Sequence, residues 1–305
     1  MKKIAILILN HRQDELTLEC LNSLKNVKYE DFEIILVNNE SIGNFPVKWD
    51  MEKHPLKIIE EKKNLGCAGG RNLGIGYFMN NSDADYLFFL DNDAVVDVDI
   101  LTELVKVAES KEDIGLVGMK VYYFNEPNKF WIAGGAKLDL RSGCFYNSGQ
   151  GELDVGQYDR DGRVFDSLPG GFTFIKRKVI ELIGMLDERF FIYYEDPDWC
   201  LRLRKYGLKI AFACNAKVWH KVSSSLGRES SSFYYYRTRN RLLFMWKNFS
   251  KTTFAAFFVN FSWEFIRTNI LGFLIEKKHK LFFASLAGVC DFFVGRFYNQ
   301  RTFSS

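Results

Sequence analysis

"YLFFLDNDAVVD", residues 86–97, sets five large apolar or aromatic side chains in a row and then places Asp91 and Asp93 one residue apart. The run does not alternate apolar with polar residues, so a strand built from it has both faces covered. Such strands belong to parallel sheets held between layers of helices, whose ligands collect beyond the carboxyl ends of the strands. Asp91 and Asp93 fall at that end.

The pattern repeats outward from this stretch. Upstream, "KIAILIL" has strand length, and "DELTLECLNSLKNV" follows with Leu16, Cys20, Leu21 and Leu24 at helical spacing. "FEIILVNN" and "LKIIEE" give further strands, and "GGRNLGIGYFMNN" a helix opened by glycines. Downstream come the helix "DILTELVKVAES" and the strand "IGLVGMK". Alternation of the two periods defines an α/β chain. From about residue 120 to 170 glycines, aromatics and single charges predominate, which suits short hairpins or a substrate-facing insertion. Regular patterning returns with "FTFIKRKVIELIGMLDERFF", "EDPDWCLRLRKYG" and the strand "LKIAFAC".

A chain of 305 residues with 47% hydrophobic content has material for one large domain and an appendage. Its net charge of +3 gives no global reason to bind nucleic acid. The six cysteines lie far apart with no CxxC pair, which argues against a disulfide framework or structural zinc and for a reducing compartment. The amino-terminal "MKKIAILILNHRQDE" lacks the long apolar core and small-residue cleavage site of a signal peptide, so it reads as a first strand in a cytoplasmic protein.

Composition shifts near residue 230. "SFYYYRTRNRLLFMWKNF" is aromatic and basic, and beyond Phe254 apolar stretches are broken by Glu264, Arg267, "EKKHK" and Arg296. No stretch reaches the ~20 apolar residues of a spanning helix, so amphipathic helices are expected. With Lys277, Lys278, Lys280 and Arg296 among apolar residues, they suit either the surface of an anionic membrane or a cap packed on the catalytic domain. "YYYRTRNR" raises the idea of a nucleic-acid site, but arginines and aromatics at helical spacing more often form a packed helix with one solvated face.

Two carboxylates at a strand end can face one divalent cation, with oxygen ligands suited to Mg²⁺ or Mn²⁺. Asp-Asn-Asp is equally good chemistry for a solvated turn. Nearby in sequence, Gly66, Gly69 and Gly70 allow close backbone approach, and Arg71 offers a charge-assisted donor to phosphate.

Seven landmarks taken in order weigh toward the cation: "NHR", "VNNES", "NLGCAGGRNLGI", "LDND", "GGFTFIKR", "FFIYYEDPDWCLRLR" and "VWH". The chain resembles the family 2 glycosyltransferases of GT-A fold, and most of all their bacterial rhamnosyltransferase-like members. The resemblance covers about residues 1–225. It implies a Rossmann-like, mostly parallel sheet flanked by helices, with a C-terminal helical region. It divides the chain into a catalytic domain, residues 1–228, and a helical region, residues 229–305. Within the domain, residues to about 120 form the nucleotide-binding half and 121–228 the acceptor side.

The activity implied is inverting transfer of a sugar from a nucleotide diphosphate donor, dTDP-rhamnose or a UDP-hexose, to a hydroxyl of a glycan or lipid-linked acceptor at the inner membrane face. Asp91, Asp93 and His220 match the family's metal positions, for Mg²⁺ or Mn²⁺. Asn10, Asn38, Asn39, Gly66, Gly70, Arg71, Asp91 and Asn92 match the donor side, although Asn38 stands where aspartate is common. Gly170, Gly171 and Trp199 match the acceptor side. The base position falls on Asp196, with Glu195 orienting the acceptor or the loop, while Asp198 suits a stabilised helix start. A nucleotidyltransferase also pairs aspartates with metal, and a catalytically silent sugar-nucleotide or membrane-binding module would keep the fold. The first does not explain "YYEDPDW" and "VWH", and intact Asp93, Asp196 and His220 argue against the second.

Overall fold

A computed structural model describes residues 1–49, 53–160, 163, 165–222, 230–272 and 278–298, without the side chains of 269–272. The boundary expected at 228 and the basic residue Lys277 lie outside these.

The chain begins with β1 (Ile4–Asn10), α1 (Asp14–Leu24), β2 (Phe32–Asn39), β3 (Leu56–Glu61), α2 (Gly66–Asn81) and β4 (Tyr86–Asp91). It continues through β5 (Ala94–Val96), α3 (Ile100–Glu109), β6 (Ile114–Tyr123), β7 (Glu126–Ala133), β8 (Ala136–Asp139) and β9 (Cys144–Asn147). Then come β10 (Phe172–Lys176), α4 (Arg177–Ile183), α5 (Glu195–Lys205), β11 (Lys209–His220), α6 (Ser231–Asn248), α7 (Lys251–Glu264) and α8 (His279–Phe293). The nine-stranded sheet has the order β3-β2-β1-β4-β10-β6-β11-β5, with β7 on β6. Pairs β3-β2, β2-β1, β1-β4 and β6-β11 are parallel, whereas β10, β5 and β7 run against their neighbours. The expected mostly parallel α/β sheet is therefore present, with β10 inserted antiparallel at its centre.

The continuous apolar strands explain the two cores. On β1, Ile4, Ile6 and Ile8 face the layer containing α1 and α3, while Ala5 and Leu7 face the layer of α2, α4 and α5. The loosened region holds β7 and the small β8-β9 hairpin.

Two departures from the expected elements position the site. β10 enters antiparallel to β4, so the start of β10 meets the end of β4 and Asp91 N–H donates to Gly171 O at 3.0 Å. β11 runs past "LKIAFAC" through an irregularity between Ala213 and Lys217 and ends on His220, opposite Ala94 of β5. A bulge resets the register and thereby carries His220 to the neighbour of Asp93.

The C-terminal helices are α6, α7 and α8, with a π-helical continuation after α7, Phe265–Gly272. Ser230 and Ser250 accept from the backbone N–H of Phe233 and Thr253, as N-caps do. No described helix is long and apolar enough to cross a membrane.

Candidate active site

The carboxyl ends of β1, β2 and β4 gather the asparagines. Asn10 Nδ2 donates to Asn38 Oδ1 at 2.9 Å and to Asp14 Oδ1 at 2.7 Å, and Asn10 Oδ1 accepts from Thr17 Oγ1 at 2.9 Å. Asn38 Nδ2 donates to Glu60 Oε2 at 2.7 Å, so a carboxylate stands beside this asparagine. Asn92 Nδ2 donates to Thr17 Oγ1 at 3.0 Å. Asn38 lines a cleft of about 670 Å³ with Arg12, Asp14 and the 40–44 turn.

Asn39 and the glycines are placed differently from the donor contacts expected of them. Asn39 is buried, accepting from Leu65 N–H and donating to Gly66 O, so both ends of its amide fix the turn into α2. Gly66 has φ +70°, and a Cβ there would fall on the backbone oxygen and ring of Phe191. A Cβ at Gly70 would meet Leu9 Cδ1 at 2.6 Å. Protein atoms, not open space for a ligand, occupy the room these glycines leave, because α2 packs on β1 at Gly70 and on the loop before α5 at Gly66.

Arg71 is the centre of the arrangement. Its guanidinium is 8% exposed, donates from Nη2 to Asp91 Oδ1 and from Nη1 to Asp196 Oδ1, both at 3.1 Å, and stands 3.7 Å from Glu195 Oε1. Burial alone would lower its pKa, but Asp196, Asp91 and Glu195 reverse this and hold it above the ordinary arginine value. The PGGF turn makes the convergence possible. A Cβ on Gly170 would fall on the Asp196 carboxylate, and one on Gly171 on that of Asp91.

The two acids that open α5 have different surroundings. Asp196 is 19% exposed and lines a pocket of about 280 Å³. Glu195 is 3% exposed, and its Oε2 has no hydrogen-bond partner among the described residues. Burial pushes Asp196 up to about 6 against the opposing pull of Arg71. Burial and the neighbouring charge of Asp196 push Glu195 well above the usual carboxylate range. Asp196 thus faces the pocket, and Glu195 stands behind Arg71. Trp199, matched to the acceptor side, is instead in the core, stacked on Phe89 at 5.4 Å with its indole N–H on Gly184 O. Helical spacing turns it inward with Leu203.

Asp91, Asp93 and His220 each offer a ligand atom, and these lie within 4.8 Å of one another. His220 Nε2 is 3.0 Å from Asp93 Oδ1, and its buried Nδ1 has no hydrogen-bond partner among the described residues. Trp131 and Phe172 meet the imidazole edge-on at 4.8 and 5.0 Å and fix its plane. Two carboxylates and an imidazole whose second nitrogen is unused are a donor set that fits Mn²⁺ or Mg²⁺. Burial, followed by repulsion from Asp93, raises the pKa of Asp91 despite Arg71, and a cation would reverse that.

Sequence reasoning missed what holds Asp196. The loop before it contains Phe191, Tyr193 and Tyr194 at φ +64°, +67° and +74°, a region that non-glycine residues adopt only under constraint. The constraint comes from α6. Asn240 Nδ2 donates to the carbonyls of Phe190, Ile192 and Tyr193 at 2.6, 2.7 and 2.9 Å. Arg239 Nη2 adds Arg189 O and Phe190 O. Asp198, fully buried, accepts from Arg202, Lys247 and Asn248, so it also ties α5 to α6. The arginines of "YYYRTRNR" at 239 and 241 are thus occupied by protein. The available signal was a basic and amide-bearing stretch set in apolar surroundings without local acidic partners.

The fold is GT-A, and carboxylates from the end of β4 and the start of α5 converge in it on one arginine. The glycosyl transferase family 2 model matches residues 5–183, and the chain belongs to that family. It is 26% identical over 243 residues to the dTDP-rhamnosyl transferase RfbF of Shigella flexneri, covering 76% of this chain and 77% of that one. To the low-salt glycan biosynthesis hexosyltransferase Agl10 of Haloferax volcanii it is 23% identical over 276 residues, covering 90% and 86%. The mannosyltransferase PcManGT of Pyrobaculum calidifontis, solved with GDP-Man and Mn²⁺, superposes with a TM-score of 0.56 at 12% identity, covering 97% of this chain and 88% of that one.

Proposed function

We propose that this glycosyltransferase moves a sugar, with inversion, from a nucleotide diphosphate donor to a hydroxyl of a glycan acceptor, and that Asp196 is the general base. The observation that carries the reading is the position of Asp196: a partly exposed carboxylate on a pocket, joined through Arg71 to Asp91 at the end of β4. In this reading the acceptor hydroxyl gives its proton to Asp196, and Arg71 stabilises the charge that develops on the departing diphosphate. Inversion needs no covalent intermediate, so a single base is sufficient. Asp91, Asp93 and His220 would hold Mg²⁺ or Mn²⁺, which supplies further neutralisation of the diphosphate. Asn10, Asn38 and Asn92 belong to the donor side, and Gly170 and Gly171, matched to the acceptor side, leave room for the carboxylates of Asp196 and Asp91.

The similarity to a dTDP-rhamnosyl transferase supports dTDP-rhamnose as the first donor to test, followed by UDP-hexoses. A panel of dTDP, UDP and GDP sugars with Mn²⁺ should yield one that is turned over with formation of the opposite anomer. Retention of configuration, or release of pyrophosphate in place of a nucleoside diphosphate, would sink the reading.

We further propose that the C-terminal helices lie on an anionic membrane at the cytoplasmic face, where a lipid-linked acceptor is presented. Val259 and Trp263 of α7 and Phe283 and Phe293 of α8 are large, apolar and exposed, with exposed Lys280 and Arg296 nearby. Liposome flotation of the full chain against Trp263→Glu/Phe283→Glu checks this, and equal flotation of both counts against it.

A further inference from the structure

α6 carries arginines at 237, 239 and 241. Two are engaged within the protein: Arg239 holds the loop before α5, and Arg241 pairs through both terminal nitrogens with Glu264, at 3.1 and 2.6 Å. Arg237 is exposed, lies 5.5 Å over the ring of Phe233, and has neither an ion pair nor a hydrogen bond among the described residues. It lines the same pocket of about 280 Å³ as Asp196. Aromatic lining comes from three segments, Phe145 of β9, Tyr193 and Tyr194 of the loop, and Phe233 of α6, while Asn147 and Ser167 add neutral polar groups. Tyr193 and Phe233 meet edge-on at 5.5 Å, and Tyr194 is fixed by its hydroxyl on Gly143 O at 3.0 Å.

We propose that this pocket is the subsite for an acceptor sugar that carries a phosphate, with the ring between the aromatic walls and the phosphate on Arg237. The proposal rests on the reading of Asp196 as the base. A pocket with few charged groups fixes a ligand's orientation through those groups, and here the two charged ones, Asp196 and Arg237, have opposite sign. The ionised Asp196 repels an anion and accepts from a hydroxyl. Arg237 presents a guanidinium fork that matches phosphate oxygens. A sugar with a free hydroxyl at one end and a phosphate at the other is therefore seated in one direction only. The volume leaves room for one ring.

The test is calorimetric titration of the full chain in EDTA, which removes phosphate capture by a cation at Asp93. The probes are hexose methyl glycosides, the corresponding hexose 1-phosphates, and inorganic phosphate. The hexose 1-phosphate of at least one pair should bind at least tenfold tighter than its methyl glycoside and than inorganic phosphate. Arg237→Gln should abolish that preference and Arg237→Lys should keep part of it. Equal affinity within every pair, no binding of any hexose 1-phosphate, inorganic phosphate binding as well as the sugar phosphates, or a preference that survives in Arg237→Gln would each overturn the proposal. Nucleotide-sugar turnover by the parent protein is measured separately, and its failure would count against the proposed activity while leaving the binding result intact.

Discussion

The two walls of the site are built by different means. The wall made by β1, β2 and β4 presents Asn10, Asn38 and Asp91 from the ends of hydrogen-bonded strands, and each residue follows an apolar run that fixes its place. The opposite wall presents Asp196 after a loop with three non-glycine residues at positive φ, held by an arginine and an asparagine more than forty positions further along. A strand end inherits its precision from the sheet. A strained loop needs external ties, so α6 braces the segment that carries the proposed base as well as starting the C-terminal helical region.

This contrast can be broken most directly at Asp196. Asp196→Asn keeps the shape and removes the basicity, so transfer should fall by ~10²-fold or more while donor affinity is kept. Near-normal turnover would move the base to a neighbour. If Asp196 is the base, it should also set the acid limb of the pH profile. A base works ionised, and burial raises the pKa of Asp196 to about 6, so the rate should decline as pH falls through about 6. In Asp196→Asn that limb should vanish from the residual rate.

On the strand-end wall, Asp93→Ala removes one of the three side chains proposed to hold the cation, and Mn²⁺ affinity measured by titration should drop by more than ~10-fold. An unchanged affinity would place the cation elsewhere. The smallest expected effect comes from the external tie. Asn240→Asp keeps size but cannot donate to the three loop carbonyls, and transfer should drop ~10-fold at unchanged donor affinity, with about 1–3 kcal/mol of stability lost. If Asn240 acts through Asp196, the two losses will not multiply in the double variant. Multiplicative losses would mean that Asn240 supports the fold alone.

The same contrast explains what the sequence disclosed. Apolar runs located β1, β2, β4 and β6, since burial on both faces leaves a continuous signal. The order of short motifs pointed to Arg71, Asp91, Asp93, Asp196 and His220, which the fold brings to one end of the sheet. What stayed illegible depends on partners distant in sequence. The bulge that carries β11 to His220 shows in no local pattern, because "NAKVWH" alone reads as an ordinary strand end. Asp198 looked like a helix-start acid, yet its lysine and asparagine partners lie on another helix. Gly66 and Gly70 read as room for a ligand because a sequence does not show which atoms fill the space that a missing side chain leaves.

The PGGF turn has a consequence for redesign. Most positions around a binding pocket tolerate graded change, in which a slightly larger side chain trims the cavity and shifts preference by degrees. Gly170 and Gly171 allow no such gradation, because the first carbon of any side chain would coincide with the carboxylate of Asp196 or Asp91. Laboratory evolution of acceptor choice therefore has no incremental path through these two codons. Variation in this turn should behave as an on-off trait, and useful diversity should accumulate at Phe145 and Phe233, where a ring can shrink or grow without displacing either acid.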